Sequence, residues 1–268
     1  MYTDIRYEAG DGIATITISR PEVLNAVRPL TAEELIEAFH EAWADRSVGV
    51  VILTGAGEKA FCVGGDATAR ADDGGYKPVP GQRPARSDLG IDMEDLHTVI
   101  RDIPKPVIAA VNGYAIGGGN VLHVICDLSI AAEHARFGQV GPKVGSVDPG
   151  FGTAYLARLV GEKRAREIWY LCRQYSAAEA LEMGLVNAVV PGAQLMDETR
   201  SWAGELLERS PTALKLAKAS FNAASEHIRG IGALGMAGLA LYYDTEESAE
   251  GVRAFKEKRT PDFSKFRR

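Results

Sequence analysis

The sequence predicts an α/β fold that ends in a helical region. Three observations carry this: short β-branched or apolar runs, apolar positions at helical spacing between them, and purely helical patterning after Pro191. The first run, 13–18, holds Ile13, Ile16 and Ile18 and stops at Arg20-Pro21, as a strand would. Thr31 followed by Glu34 is a capping-box pattern, and Leu35, Ile36, Phe39 and Trp43 then recur at helical spacing, which predicts a helix over 31–45. The continuous apolar run 48–55 has the length of a buried strand. Further strands are expected within 106–118, which runs into glycines, and over 127–138 and 185–191. Helices are expected at about 96–102, 118–126, 152–160 and 162–172. Beyond Pro191 come four helices, at 193–208, 211–224, 229–243 and 246–257, and a polar tail. The chain thus divides into an α/β body over 1–190 and a helical region over 191–268. The segment 70–90, with four glycines, three prolines and no periodicity, is a long loop of the kind that usually serves function.

Composition narrows the function classes. A chain of 268 residues, 46% hydrophobic, can bury a sizeable core. A net charge of -6 gives no basic stripe for nucleic acid. No apolar run approaches the roughly 20 residues of a membrane helix. The first residues carry acids and no apolar stretch, unlike a signal peptide. Cys62, Cys126 and Cys172 lie far apart, with neither metal-site spacing nor a disulfide framework. A soluble protein of the reducing cytoplasm is expected, without a metal.

Two glycine clusters carry the chemistry. FCVGGD (61–66) follows a strand, and GYAIGGGN (113–120) runs from a strand into a helix. Glycine lets a ligand approach the main chain closely, and a helix opening at Gly118 presents unpaired N–H groups. Two N–H groups converging on one oxygen would form an oxyanion hole. The spacing of the second cluster does not match the dinucleotide fingerprint. From the residues alone, a pair of tight turns remains an equal reading.

The order FCVGGD, KPVIAAVNGYAIGGGN, CDLSIAA and FGQ, spread over nearly the whole chain, resembles the crotonase (enoyl-CoA hydratase/isomerase) superfamily. The resemblance implies a spiral of ββα repeats with C-terminal helices that build a homo-oligomer, a trimer or dimer of trimers. It further implies that the N–H groups of Gly65 and Gly118 hold a thioester oxygen. Val63, Gly64, Asp66, Ala67, Tyr76, Tyr114, Gly117, Val140 and Lys258 are then expected to contact the substrate and its coenzyme A. No other cofactor is expected.

Departures from the family pattern refine the reading. Hydratases carry two glutamates where this chain has Val121 and Gly141, which cannot transfer protons, so hydration by a carboxylate pair is excluded. In their place stands GQVGPKVGSVDPGFG (138–152). Ser146 and Asp148, two apart, would share a side of an extended loop. Asp-Pro-Gly by itself is a turn signal. This stretch, GGYK (74–77) and YYDTEES (242–248) resemble 1,4-dihydroxy-2-naphthoyl-CoA synthases, which implies catalytic roles for Ser146, Asp148 and Tyr243.

The stretches 91–122, 138–170, 208–222 and 241–252 resemble 2-ketocyclohexanecarboxyl-CoA hydrolases more closely. Leu24 and Val140 depart from the synthases in the same direction, while His123 matches them. Gln139, Gly141 and Trp169 match positions that cradle bicarbonate in some synthases; with Val140 replacing threonine, water or another anion is an open alternative there. The expected activity is hydrolytic C–C ring opening of a cyclic 2-oxo carboxyl-CoA thioester. The alternatives are the ring-closing synthase, a related hydrolase for larger rings, and a non-catalytic acyl-CoA-binding scaffold. His97 and His123, among apolar helix neighbours, are expected to be structural, and His40 and His227 to lie on the surface.

Overall fold

A computed structural model describes residues 2–69, 76 and 84–267. Most of the predicted 70–90 loop, including the rest of GGYK, lies outside the described residues. The strands are β1 (Ile5–Gly10), β2 (Ile13–Ile18), β3 (Val50–Gly55), β4 (Ala60–Cys62), β5 (Val107–Val111), β6 (Tyr114–Ile116), β7 (Leu128–Ala132), β8 (Arg136–Gly138), β9 (Gln174–Ser176) and β10 (Ala188–Val190). The helices of the body are α1 (Pro29–Ala44), α2 (Met93–Asp102), α3 (Gly118–Ile125), α4 (Leu156–Val160), α5 (Glu162–Leu171) and α6 (Ala177–Glu182). Then follow α7 (Leu195–Leu207), α8 (Pro211–Ala223), α9 (His227–Tyr243) and α10 (Glu246–Lys256).

The strands form two sheets, ordered β1-β2-β3-β5-β7-β10 and β4-β6-β8-β9. Only the outer pairs β1–β2 and β8–β9 are antiparallel. Through the middle of the chain, each ββα repeat gives one strand to each sheet: β3 then β4, β5 then β6, β7 then β8. This is the spiral of ββα repeats that the resemblance implies. The parallel strands β3 and β5 are buried along their whole length, which explains why they are continuous apolar runs rather than alternating ones. The main core lies between the sheets and α1–α3, and a smaller one joins β3, β5 and β7 to Leu195 and Ala203 of α7.

Some local expectations are corrected. Helix α1 begins at Pro29, not at Thr31. The Thr31 hydroxyl accepts from Arg28 N–H and donates to Asp4, while the Glu34 carboxylate takes the N–H groups of Thr3 and Asp4 at 2.6 and 2.7 Å. Thr31 is thus the third helical residue rather than the N-cap: it takes the N–H of the N-cap Arg28, and with Glu34 it ties down the N-terminal segment. A reciprocal capping box does occur at Ser176 and Glu179, at the head of α6. Trp43 lies exposed at the end of α1, stacked on His40. Strand β1, too polar in its second half to stand out, pairs β2 along its full length.

Asn25 locks the turn between β2 and α1. It is fully buried in the left-handed region at φ 57°, where asparagine is among the few residues tolerated. Its side chain accepts from Arg20 N–H and donates to the carbonyls of Ala56 and Ala60. Asn25→Ala orphans Arg20 N–H and Ala56 C=O, while Asn112 Nδ2 still reaches Ala60 C=O, so we expect unfolding free energy to fall by about 3 kcal/mol in urea titrations.

Candidate active site

Parallel pairing in the second sheet assembles the site. β4 pairs β6 and β6 pairs β8, all pointing the same way, so the chain leaves the three strands on one side. There begin the first glycine cluster, the second glycine cluster and the 139–150 loop.

The first cluster is held from behind. Val27 N–H donates to Gly64 C=O at 2.8 Å, and Asp66 N–H donates to Val27 C=O at 2.9 Å. In such a parallel bridge the flanking residues bond to the partner, and the groups of the residue between them point away. That residue is Gly65. Asp66 is nearly inaccessible, and its carboxylate is committed to Arg20 and to the hydroxyl and N–H of Thr68. Burial alone would raise its pKa, but Thr68 and Arg20 hold it below the ordinary carboxylate value. Asp66 supports the loop rather than lining the cleft.

The second cluster lies against the first. Gly117, at φ 58°, donates its N–H to Gly138 C=O of β8 at 2.9 Å, which leaves Gly118 to open α3. A methyl group on Gly64 would stand 2.9 Å from Gly118 N, and one on Gly118 would stand 4.0 Å from Gly65 N. Only glycine fits at Gly64, at φ 86°, whereas a methyl group on Gly118 would make ordinary contacts. Neither Gly65 N–H nor Gly118 N–H has an acceptor among the described residues, and Gly118 adds the positive end of a helix. Tyr76 hydroxyl reaches over Gly65, where a side chain would collide with it.

A cavity of about 150 Å³ opens in front of Gly65 and Gly118. Tyr76, Gln139, Val140, Gly141, Ser146, Asp148, Trp169 and Tyr243 line it, together with Gly117. Ser146 Oγ and Tyr243 OH share a hydrogen bond of 2.8 Å, which joins the loop to the end of α9. Asp148 accepts one hydrogen bond, from Gly152 N–H at 3.0 Å. Burial pushes its carboxyl up to about 7, against the opposing pull of that N–H. Trp169 donates to Gly152 C=O at 2.5 Å, and Gln139 Nε2 is buried with no partner among the described residues.

The positions that would hold hydratase acids are closed. Val121 is wholly buried in α3. A side chain on Gly141 would stand 2.5 Å from Ser146 C=O and 2.9 Å from the Trp169 ring. Val63, Ala67 and Tyr114 flank the clusters without lining the cavity. Lys258, at φ 54° in the turn after α10, also lies outside its lining. His97 and His123 are buried, and burial depresses them to about 4 and about 3. His123 bonds Ser129 and Asn120, so both histidines are neutral packing residues at neutral pH. His40 and His227 are exposed. Sequence reasoning missed Met236 and Leu239, which line the cavity from α9. Their spacing with Tyr243, three and then four residues, is a single helical face and was the available signal. Among the described residues no group of acids, histidines and cysteines is arranged to hold a metal, and no helix is long and apolar enough to cross a membrane.

Comparison with known proteins agrees with this geometry. The family model described as enoyl-CoA hydratase/isomerase matches residues 8–266. An enoyl-CoA hydratase from Mycobacterium avium subsp. paratuberculosis K-10 is 28% identical with a TM-score of 0.85, over 98% of this chain and 100% of that one. An enoyl-CoA hydratase from Bacillus anthracis is 34% identical with a TM-score of 0.73, over 97% and 98%. A monofunctional enoyl-CoA isomerase from M. smegmatis is 30% identical with a TM-score of 0.69, over 83% and 94%. The chain belongs to the enoyl-CoA hydratase/isomerase family, the crotonase superfamily of acyl-CoA-processing enzymes.

Asp148 gives a signed pH prediction. Its folded pKa, about 7, lies above the ordinary value of 3.8, so between those limits the folded state binds more protons than the unfolded state. The contribution of Asp148 to stability therefore declines as pH rises through that window. Asp148→Asn is expected to raise Tm at pH 8 and to flatten the decline between about pH 4 and 7, with convergence on wild type below it. Calorimetry across that range checks this.

Proposed function

We propose that the protein hydrolytically opens the ring of a cyclic 2-oxo carboxyl-CoA thioester, with 2-oxocyclohexanecarboxyl-CoA giving pimeloyl-CoA as the assigned reaction. The observation that carries this reading is the set facing the Gly65 and Gly118 N–H groups: a carboxyl poised near neutrality at Asp148 and the bonded hydroxyl pair of Ser146 and Tyr243. A hydratase needs side-chain acids where Val121 and Gly141 stand, and the Gly141 site has no room for one.

Water adds to the ring ketone with Asp148 as base, a role suited to a pKa near the working pH. The bond between the ketone carbon and the α-carbon then breaks. Its electron pair passes to the thioester, whose oxygen becomes the enolate oxygen between Gly65 and Gly118. The α-carbon takes back a proton through Asp148 and Tyr243, and Ser146 orients the ring carbonyl. The sum is substrate plus one water. An oxyanion donor of this kind is worth about 10²–10³ in rate.

Tyr76, at the mouth of the oxyanion site, and Lys258 are assigned to the coenzyme A portion of the substrate. Coenzyme A enters as part of the substrate with no separate cofactor, and the pocket of Gln139, Gly141 and Trp169 takes water or an anion. The active unit is a homo-oligomer, a trimer or dimer of trimers. Its support is the run of exposed apolar residues on α8–α10, among them Leu216, Phe221, Leu234, Leu241 and Phe255.

Mass-resolved assay of 2-oxocyclohexanecarboxyl-CoA tests the reaction. A product one water heavier that Asp148→Asn abolishes is the expected result. Turnover of o-succinylbenzoyl-CoA in its place would assign ring closure, the naphthoyl-CoA synthase reaction; binding without turnover would leave an acyl-CoA-binding scaffold. Lys258→Ala is expected to raise KM severalfold at nearly constant kcat, the mark of lost uniform binding, and an unchanged KM would remove Lys258 from the coenzyme A site.

A further inference from the structure

Of the three buried cations among the described residues, Arg20 and Lys218 pair with Asp66 and Asp127, whereas Arg101 has no carboxylate partner. Its guanidinium carbon instead lies 4.9 Å from the ring centroid of Phe151 and 4.8 Å from that of Tyr155. The two rings meet each other edge to face at 6.0 Å. Arg101 Nη2 donates to Ser225 Oγ at 2.9 Å, and its own carbonyl accepts from Asn222 Nδ2 at 2.7 Å. Its Nε has no partner among the described residues. One turn earlier on α2, His97 touches Phe151 edge-on at 5.9 Å.

Stability does not account for this choice of residue. Removing a guanidinium from water is costly, and two ring contacts with one neutral hydrogen bond return little more than an apolar side chain of the same shape would give. What the rings belong to is informative. Phe151–Tyr155 is a π-helical turn, closed by Tyr155 N–H donating to Gly150 C=O at 3.0 Å. Such turns are uncommon and concentrate at functional sites. Within it, Gly152 donates its N–H to Asp148 and accepts from Trp169. Pro149 and Gly150, at the turn's entry, press against α9: a methyl group on Gly235 would collide with the Pro149 ring, and one on Gly150 with the Gly232 main chain.

We propose that Arg101 is a positioning residue for the acid–base step: clamped between Phe151 and Tyr155, it fixes the π-helical turn whose Gly152 N–H holds the Asp148 carboxyl toward the cleft. The proposal rests on Asp148 being the proton carrier of the reaction above. The flat guanidinium suits it to two rings at once, which the rounded ammonium of lysine cannot match.

The test uses Arg101→Gln and Arg101→Lys in the full-length protein, with Phe151→Leu as a second route to the same clamp should the glutamine variant fail to fold. Kinetics with 2-oxocyclohexanecarboxyl-CoA are combined with thermal denaturation and a ¹³C NMR titration of the Asp148 carboxyl, assigned with Asp148→Asn. Arg101→Gln is expected to lower kcat about 10- to 100-fold with KM within about twofold, as for a misplaced catalytic group. The Asp148 titration midpoint is expected to move with it, and Arg101→Lys to recover only part of the loss. A lowered Tm with kcat and the Asp148 midpoint unchanged would overturn the proposal, as would full recovery by lysine. Should the wild-type protein not open the ring, the proposed reaction fails, while the NMR titration still decides the role of Arg101.

Discussion

The parallel register of β4, β6 and β8 is the constraint on which the site depends. Each of these strands is only three residues long, yet the pairing sends all three chain segments out on the same side. Neighbouring strands stand about 4.8 Å apart, so the loops that follow them open within reach of one small group. The glycines convert that proximity into contact between main chains. The larger sheet, buried through β3 and β5, fixes where β4 and β6 begin. Rigid strands thus do for two N–H groups what flexible loops would do less well.

Around this fixed pair the family's chemistry is set by what fills the other walls. Closure of the Gly141 site by Ser146 C=O and Trp169 removes one hydratase acid position, and burial of Val121 removes the other. The loop that closes Gly141 also brings forward Ser146 and Asp148. The C-terminal helices also shape this wall of the cavity, because α9 brings Tyr243 to Ser146 and presses on Pro149 and Gly150. Asp148 illustrates the tension common at such sites. Its enclosure costs stability above acid pH and leaves the carboxyl titrating where a proton carrier works best.

Legibility in the sequence followed the range of the forces involved. Strands β3, β5 and β7 were readable because burial on both faces writes continuous apolar runs, and the glycine clusters because backbone close approach is a local demand. The three-residue strands of the second sheet are too short to display a period, so only their glycines and FGQ marked them. Thr31 and Glu34 gave a capping signal because spacing cannot reveal that their oxygens serve Asp4 and Thr3 across the fold. Helix α9 is apolar on nearly every side, with Leu234 and Leu241 exposed, so the one signal for its cavity face is the spacing of Met236 and Leu239 with Tyr243. Nothing in the sequence sets Arg101 apart in the last turn of α2. Only packing showed it enclosed by Phe151 and Tyr155 from a turn fifty residues later. The resemblance singled out Ser146 and Tyr243 separately, and their hydrogen bond across 97 residues is visible only in the fold.

The central claim is that Gly65 and Gly118 hold and polarise a thioester oxygen. Infrared difference spectroscopy of a bound, ¹³C-labelled acyl-CoA thioester tests it most directly, with Gly118→Pro as the comparison. Proline is tolerated at the first position of a helix; it removes the N–H in question and sets a ring carbon in its place. The expected result is a carbonyl stretch lowered on binding to the wild-type protein and restored toward its free value in the variant. A carbonyl whose frequency is the same free, bound to wild type and bound to the variant would contradict it.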